Sequence, residues 1–192
     1  MALLLVGGSA QAHDPLLSSV DQKMYAEGML LKVTMARASA SQLLKEPYRE
    51  SDYTPEHFPN VQSLLMMAGY DLLDVTTAKS FMVPQSLDVQ LAPQNDVVFE
   101  IRYARPPPGP VTIRATYINK LQDRHTATLV VTDERNNVLK FKDLSREDAT
   151  LQMEAPETPF TQISRWSRAS IIWMGALLCS GLAFFYWLRR RR

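Results

Sequence analysis

The sequence predicts a mainly β fold, an antiparallel β-sandwich with two short helices, followed by one C-terminal transmembrane helix. Apolar and polar residues alternate along two neighbouring segments, 97–104 and 111–118, as they do in half-buried strands. Further short segments rich in β-branched residues follow at the spacing that is typical of sandwiches. The transmembrane helix is predicted by an uncharged stretch of twenty residues at 169–188.

The net charge of +1 is the sum of two oppositely charged segments. Residues 13–164 contain 15 basic and 20 acidic residues, whereas the last 28 residues contain six arginines and no acid. The acidic segment cannot supply the basic surface that nucleic acid requires, so we expect no nucleic-acid partner. The one cysteine, Cys179, lies inside the predicted span, so the domain before it cannot form a disulfide.

The segment 169–188 has the length and the flanks of a membrane span. As an α-helix it would be about 30 Å long, which matches the hydrocarbon core of a bilayer. Every face is apolar, which argues against the alternative of a buried core helix. Interfacial aromatic residues and terminal arginines complete the predicted anchor: Trp166, Trp173, Tyr186, Trp187, Arg189, Arg190, Arg191 and Arg192. The arginine cluster predicts a cytoplasmic C-terminus and an outer domain on the other side of the membrane.

The N-terminal segment supports the same topology. Residues 1–12, MALLLVGGSAQA, resemble the end of a secretory signal peptide with an A-x-A cleavage site. The alternative is a hydrophobic segment that stays uncut. With cleavage, the predicted organisation is an extracytoplasmic domain at 13–153, a linker at 154–168, the span at 169–188 and a basic anchor at 189–192, which places the protein in the cell membrane of a bacterial envelope.

Local patterns place the elements of the outer domain. Alternation predicts a strand from about Met29, and Ser39 and Asn60 are expected to cap two helices on either side of a loop at 46–59. The second helix would bury Leu64 and Leu65. Residues 133–137 predict a hairpin turn, since asparagine tolerates a positive φ. Strands are predicted near 75–79, 87–91, 97–104, 111–118, 125–133, 138–142 and 150–153.

A metal site at the mature N-terminus is the sharpest candidate for chemistry. The α-amine and the imidazole of His13 could chelate copper or nickel together, and Asp14 and His125 could add ligands. The alternative is that His13 is an exposed remnant of the cleavage site and that His125 lies at a strand edge. The methionines also suggest Cu(I) ligands, but their positions on apolar faces favour core packing.

The sequence does not predict an enzyme. It contains no phosphate-binding loop, no dinucleotide-binding glycine motif, no zinc-protease motif and no nucleophile elbow. The three histidines, at positions 13, 57 and 125, are too far apart in sequence to form a helix-borne metal pair.

The segment from Tyr103 to Ser145 resembles a known family. It is similar to the extracytoplasmic N-terminal domain of HupE/UreJ-type proteins, a family of nickel or other metal permeases, over about residues 20–153. The matching positions are Tyr103, Arg105, Gly109, Pro110, Tyr117, Leu121, His125, Ala127, Leu129, Val131, Asp133, Leu139, Leu144 and Ser145. The resemblance implies an outer domain of that type.

The resemblance ends at the membrane part. The family has several membrane helices with histidine–aspartate motifs, whereas this chain has one predicted span and no histidine after His125. One helix cannot enclose a polar path, so transport is not implied.

Residues 156–159 also resemble a PEP-type sorting motif, but they match it poorly and lie too far from the span.

Two functions therefore stay open at the level of sequence. The first is a membrane-anchored extracytoplasmic domain that binds or scaffolds another envelope protein without catalysis. The alternative is a periplasmic domain that binds copper or nickel through His13 and delivers it to a membrane partner. The sequence does not indicate an oligomeric state.

Overall fold

The computed structural model describes residue 14 and residues 16–47, 49–93 and 96–155, which belong to one compact unit ending at Ala155. The predicted signal peptide, His13, most of the linker, the span and its anchor residues lie outside this part of the chain. Within the described part, no helix is both long enough and apolar enough to cross a membrane.

The described part of the chain forms nine strands and two α-helices. Short 3₁₀ helices lie at Glu50–Tyr53 and Thr116–Lys120. The helices are α1 (Arg37–Leu43) and α2 (Phe58–Gly69). The strands are β1 (Leu17–Met24), β2 (Gly28–Ala36), β3 (Leu73–Thr77), β4 (Pro84–Leu91), β5 (Asp96–Ala104), β6 (Gly109–Ala115), β7 (Thr126–Thr132), β8 (Val138–Leu144) and β9 (Thr150–Ala155).

The strands form two sheets, which confirms the mainly β fold and is consistent with a sandwich. The larger sheet has the order β4-β5-β2-β1-β7-β8 and the smaller has the order β3-β6-β9. All strand pairs are antiparallel except β1 and β7, which run parallel from Leu17↔Thr126 to Lys23↔Thr132. The prediction of a purely antiparallel sandwich is wrong for this pair.

Both sheets contribute to one hydrophobic core. Val33 and Phe99 of the larger sheet and Val111 and Ile113 of the smaller sheet are fully buried. Buried residues alternate with more exposed ones along β6 and β9, so each strand of the smaller sheet turns one face inward. The alternation predicted from sequence for 97–104 and 111–118 therefore marks the core, although β6 ends at Ala115.

Helix α2 packs beside β4 through a close approach at its C-terminal end. A Cβ atom on Gly69 would lie 2.7 Å from Leu87 Cδ2 and 3.2 Å from Phe99 Cδ1, so the helix needs a residue without a side chain there. Leu65 is buried as predicted, whereas Leu64 is 43% exposed and Met67 is 72% exposed. The predicted apolar stripe is therefore wider than the face that the helix buries.

The predicted helix caps are wrong. Helix α1 follows Ala36 directly and places Ser39 inside its first turn, and neither helix has a side-chain cap hydrogen bond. Helix α2 starts at Phe58, with Pro59 in the first turn, where a missing N–H costs nothing. The proline thus determines this helix start, and Asn60 lies within the helix.

The sequence predicts β2 and the β7–β8 turn but not β1. Strand β1 has no counterpart among the predicted elements, and β2 matches the strand predicted from about Met29. The hairpin turn between β7 and β8 is confirmed, with Asn136 at a φ of 64°.

Candidate functional site

The parallel pairing of β1 and β7 brings the start of the described chain beside His125. The Thr126 N–H donates to the Leu16 carbonyl at 2.9 Å, and Leu17 is the register partner of Thr126. Asp14 and His125 therefore lie at the same end of the larger sheet. Nothing in the local sequence pattern predicts this proximity, because more than 100 residues separate the two strands.

Three polar side chains, two of them buried and one partly buried, form a cluster at this end. The Ser18 hydroxyl lies 2.7 Å from the Tyr117 hydroxyl and 3.0 Å from His125 Nε2, and it donates to the Thr126 carbonyl at 3.3 Å. Tyr117 is fully buried and His125 is 2% exposed. The two rings meet edge to face, with centroids 6.3 Å apart. We call these three residues the Ser18 cluster.

Burial dominates the electrostatics of the cluster. It raises the pKa of Tyr117 far above the ordinary value, and the hydrogen bond to Ser18 offsets only part of this rise. The phenol therefore keeps its proton, as a hydrogen-bonded core tyrosine does.

The Ser18 cluster contains a serine–histidine pair but not an open nucleophilic site. An activated serine needs a base on one side and a substrate carbonyl within reach on the other. Here the serine hydroxyl is shared among a tyrosine, a histidine and a backbone carbonyl, and the two rings are buried. We therefore assign the cluster a structural role, which is to fix β1 against β7 and the 3₁₀ turn that carries Tyr117.

The predicted metal ligands have different environments. Asp14 is exposed, and its Oδ1 accepts the Leu16 N–H at 2.9 Å, which caps the turn into β1. His125 is buried, with Nε2 on Ser18. His13 lies outside the described residues. His57, the remaining histidine, is exposed and pairs with the Thr54 hydroxyl at 3.0 Å.

Within the described part of the chain, no three histidine, cysteine, aspartate or glutamate side chains form a group that could hold a metal ion. The structure thus brings Asp14 and His125 to one end of the sheet, but His125 Nε2 could bind a metal only by leaving Ser18. The methionines predicted to fill the core do so at positions 24, 29, 35 and 153, whereas Met67 is exposed.

Strand β8 is the second notable feature, because among the described strands it lies at the edge of its sheet and has exposed apolar side chains. Val138, Leu139 and Phe141 are 63%, 63% and 64% exposed. The register against β7 skips Leu139, which places a bulge in the edge strand. We call these three side chains and the free side of β8 the β8 edge.

The lysines of β8 serve a different purpose. Lys140 Nζ donates to the Gln152 carbonyl at 2.6 Å, and Lys142 Nζ donates to the Thr150 carbonyl at 2.8 Å and to Asp148 at 2.6 Å. Both ammonium groups therefore bind backbone carbonyls of β9 in the other sheet. Edge strands often use lysine to discourage pairing with another chain, but here the lysines connect the two sheets.

Several residues of the family resemblance form turns and packing contacts. Arg105 donates to the carbonyls of Tyr25 and Ala26 at 3.2 and 2.9 Å, which holds the β1–β2 hairpin. Gly109 has a φ of +125°, a conformation that favours glycine. Asp133 accepts three hydrogen bonds from Arg135 and Asn137 in the β7–β8 turn. These roles are structural, and they identify no ligand.

Neither protein-family models nor curated proteins give a match to this chain. The features that sequence reasoning missed are Ser18, the role of Tyr117 as its partner, and the exposure of the β8 edge. A strand near 138–142 was predicted, but only the sheet order reveals that this strand lies at an edge.

Proposed function

We propose that this protein is a single-pass membrane-anchored extracytoplasmic domain that binds another envelope protein through the β8 edge, without catalysis. The predicted span, its arginine anchor and the predicted signal peptide support the location. The observation that carries the binding function is the exposure of Val138, Leu139 and Phe141 on one edge strand. The resemblance to an extracytoplasmic domain of membrane proteins agrees with it.

One side of β8 pairs with no other strand of the described residues. An edge strand leaves N–H and C=O groups unpaired on one side, and an extended peptide can pair with them as an added strand. Three large side chains, each more than three-fifths exposed, would give such a peptide apolar contacts as well as backbone hydrogen bonds. The partner that fits is an extended segment with apolar residues at alternate positions.

Site-specific photocrosslinking in intact cells tests the binding. A photoreactive phenylalanine analogue replaces Phe141 in the full chain, and the control replaces the exposed Gln90 on the opposite edge strand, β4. We expect one discrete adduct with a different envelope protein at position 141 and none at position 90. Leu139→Lys in the first variant should weaken the adduct several-fold.

Three results would contradict the binding proposal. No adduct at position 141, or the same adducts at both positions, would show that the β8 edge is not selective. An adduct of the chain with itself would assign the edge to a second copy.

The location has a separate test, in which a reporter fused after Arg192 should be active only in the cytoplasm.

Metal binding at the N-terminus is the second candidate function. It is favoured by the parallel β1–β7 pair, which holds Asp14 at the same sheet end as His125. N-terminal sequencing must first find His13 as the first residue of the mature chain. Calorimetric titration of the mature protein with Cu(II), beside His13→Ala, then decides. An affinity weaker than micromolar, or one unchanged by the substitution, would exclude this function.

A further inference from the structure

Two features lie at the same end of the two sheets. They are Ala155, the last described residue, and two strongly exposed apolar side chains. In the larger sheet, five neighbouring strands each have a terminal or near-terminal residue at this end: Pro84, Tyr103, Gly28, Met24 and Thr132. In the smaller sheet, Gly109 pairs with Ala155 at the corresponding end. Four short connections lie here, at 25–27, 78–83, 105–108 and 133–137. We call it the exit end.

The connection 78–83 holds Phe81 and Val83 outward. Phe81 forms an isolated bridge with Thr76, and the Met82 N–H donates to the Val75 carbonyl at 2.8 Å. Met82 packs partly against the core, so the extended backbone directs its two neighbours away from it. Phe81 is 74% exposed and Val83 is 78% exposed, the highest values among the large apolar residues of the described chain.

The opposite end differs in charge. The four connections of the exit end contain three basic and three acidic residues. The segments that hydrogen bonds and strand ends place at the other end (14–16, 37–42, 70–72, 116–125 and 145–149) contain four basic and five acidic residues. The exit end is therefore neutral, so an anionic surface does not repel it on balance.

We propose that the exit end lies on the outer surface of the bilayer and that Phe81 and Val83 insert into its interfacial layer. This rests on the proposed membrane anchorage. Only the segment 156–168 separates Ala155 from the predicted span, and thirteen residues reach at most about 45 Å when fully extended. In the anchored chain, Ala155 therefore lies within that reach of the predicted span, and an aromatic and an aliphatic side chain gain from leaving water at the bilayer interface.

The orientation has a consequence for the β8 edge. Strands of seven to nine residues are about 23–30 Å long. With the exit end on the bilayer, β8 rises from the membrane surface, and its free side faces a partner that stands on the same membrane. The Ser18 cluster then lies at the membrane-distal end.

Spin labelling of the full chain in liposomes tests the orientation. In a Cys179→Ala background, a nitroxide is attached to a single introduced cysteine in V83C. The matched control carries the label in L17C, because Leu17 is an exposed apolar residue at the opposite end of the larger sheet. Oxygen concentrates in the bilayer, and a charged nickel chelate stays in water. We expect the oxygen-to-nickel relaxation ratio to be several-fold higher at position 83 than at position 17.

The outcomes separate the orientation from the anchorage. Protein that floats with liposomes but gives equal ratios at both positions overturns the orientation and leaves the anchorage intact. A label at position 83 that is shielded from both relaxants indicates a protein neighbour and also overturns it. Failure of the chain to float with liposomes contradicts the anchorage itself. With flotation and the expected ratios, Phe81→Asp should lower the ratio at position 83, whereas Met67→Asp should not.

Discussion

Ser18 Oγ and His125 Nε2 lie 3.0 Å apart, although 107 residues separate them in the chain. The contact exists because β1 and β7 run parallel with Leu17 opposite Thr126. Tyr117 joins the same hydroxyl from a 3₁₀ turn of the chain before β7. Ser18 therefore connects β1 to the 3₁₀ helix that follows β6. We expect its loss to lower the stability of the whole fold.

Ser18→Ala is expected to lower the free energy of unfolding by about 1–3 kcal/mol. The substitution removes the common hydrogen-bond partner of Tyr117 and of His125 Nε2, and both rings are buried. Urea unfolding of the full chain in detergent, followed by circular dichroism, measures the change.

The matched control for this prediction is Ser63→Ala, on the exposed face of α2. It should leave the urea midpoint unchanged or raise it slightly, since alanine favours a helix. Equal midpoints for Ser18→Ala and the parent protein would contradict the structural role that we assign to the Ser18 cluster.

Gln22→Met is expected to stabilise the protein. Gln22 is fully buried at an inward position of β1, and neither amide atom has a hydrogen-bond partner within the described part of the chain. An unsatisfied buried amide costs about 1–3 kcal/mol, and methionine has a similar shape without the polar atoms. The urea midpoint should therefore rise.

Gln90→Met provides the control, because Gln90 is exposed on β4 and the substitution there changes no buried polar group. If Gln22→Met instead lowers the midpoint, the amide has a partner such as a buried water, and the explanation from an unsatisfied group is wrong.

The same residues explain why β1 could not be predicted from sequence. Its inward positions are Ser18, Val20, Gln22 and Met24, so half of the buried face is polar and the alternation disappears. Strands β5 and β6 place apolar residues at their inward positions, and both were predicted. The local pattern therefore misses β1 because its buried face is half polar.

The candidate sites depend on pairings that no local pattern contains. Residues 138–142 predict a strand, but the local pattern does not show that this strand lies at the edge of its sheet or that Phe141 is exposed. The proximity of Asp14 to the start of β7 depends on the parallel pair. Helix α2 shows the same limit, since Met67 belongs to an apolar sequence but faces solvent.

Stability should fall steeply above pH 10 because of two buried tyrosines. Burial, with the charge of Asp74, raises the pKa of Tyr103 to about 12, and burial raises the pKa of Tyr117 further. The ordinary value is about 10, so the folded state binds these protons more tightly. The stabilisation is complete below pH 10 and is lost as the pH rises toward 12 and beyond, by at most about 1.4 kcal/mol per pH unit for each tyrosine.

Tyr103→Phe tests the alkaline prediction. It should reduce the slope of the unfolding free energy between about pH 10 and 12, since one contributing group is gone. Tyr70→Phe, at an exposed position, should leave the slope as it is in the parent protein. A slope that Tyr103→Phe does not change would show that alkaline unfolding has another origin.

The β7–β8 turn should loosen in acid, because one carboxylate organises it. The side-chain amide and the backbone N–H of Asn137 lower the pKa of Asp133, with help from the Arg135 N–H. A lowered folded pKa means that the stabilisation is present above the ordinary value, about 3.9, and is lost as the pH falls through the folded value. The protection of the Arg135 and Asn137 amides from hydrogen exchange, taken relative to the intrinsic rate at each pH, should therefore fall at low pH in the parent protein.

Asp133→Asn should remove that acid dependence, since the amide oxygen still accepts hydrogen bonds but does not titrate. Glu134→Gln, an exposed neighbour in the same turn, should keep it.

The turn also sets the register in which Thr132 faces Val138, so it positions the start of the β8 edge. If the β8 edge binds a partner, Asp133→Ala should weaken the photocrosslink at position 141 more than Glu134→Ala does. Equal crosslinks in both variants would separate the turn from the binding surface.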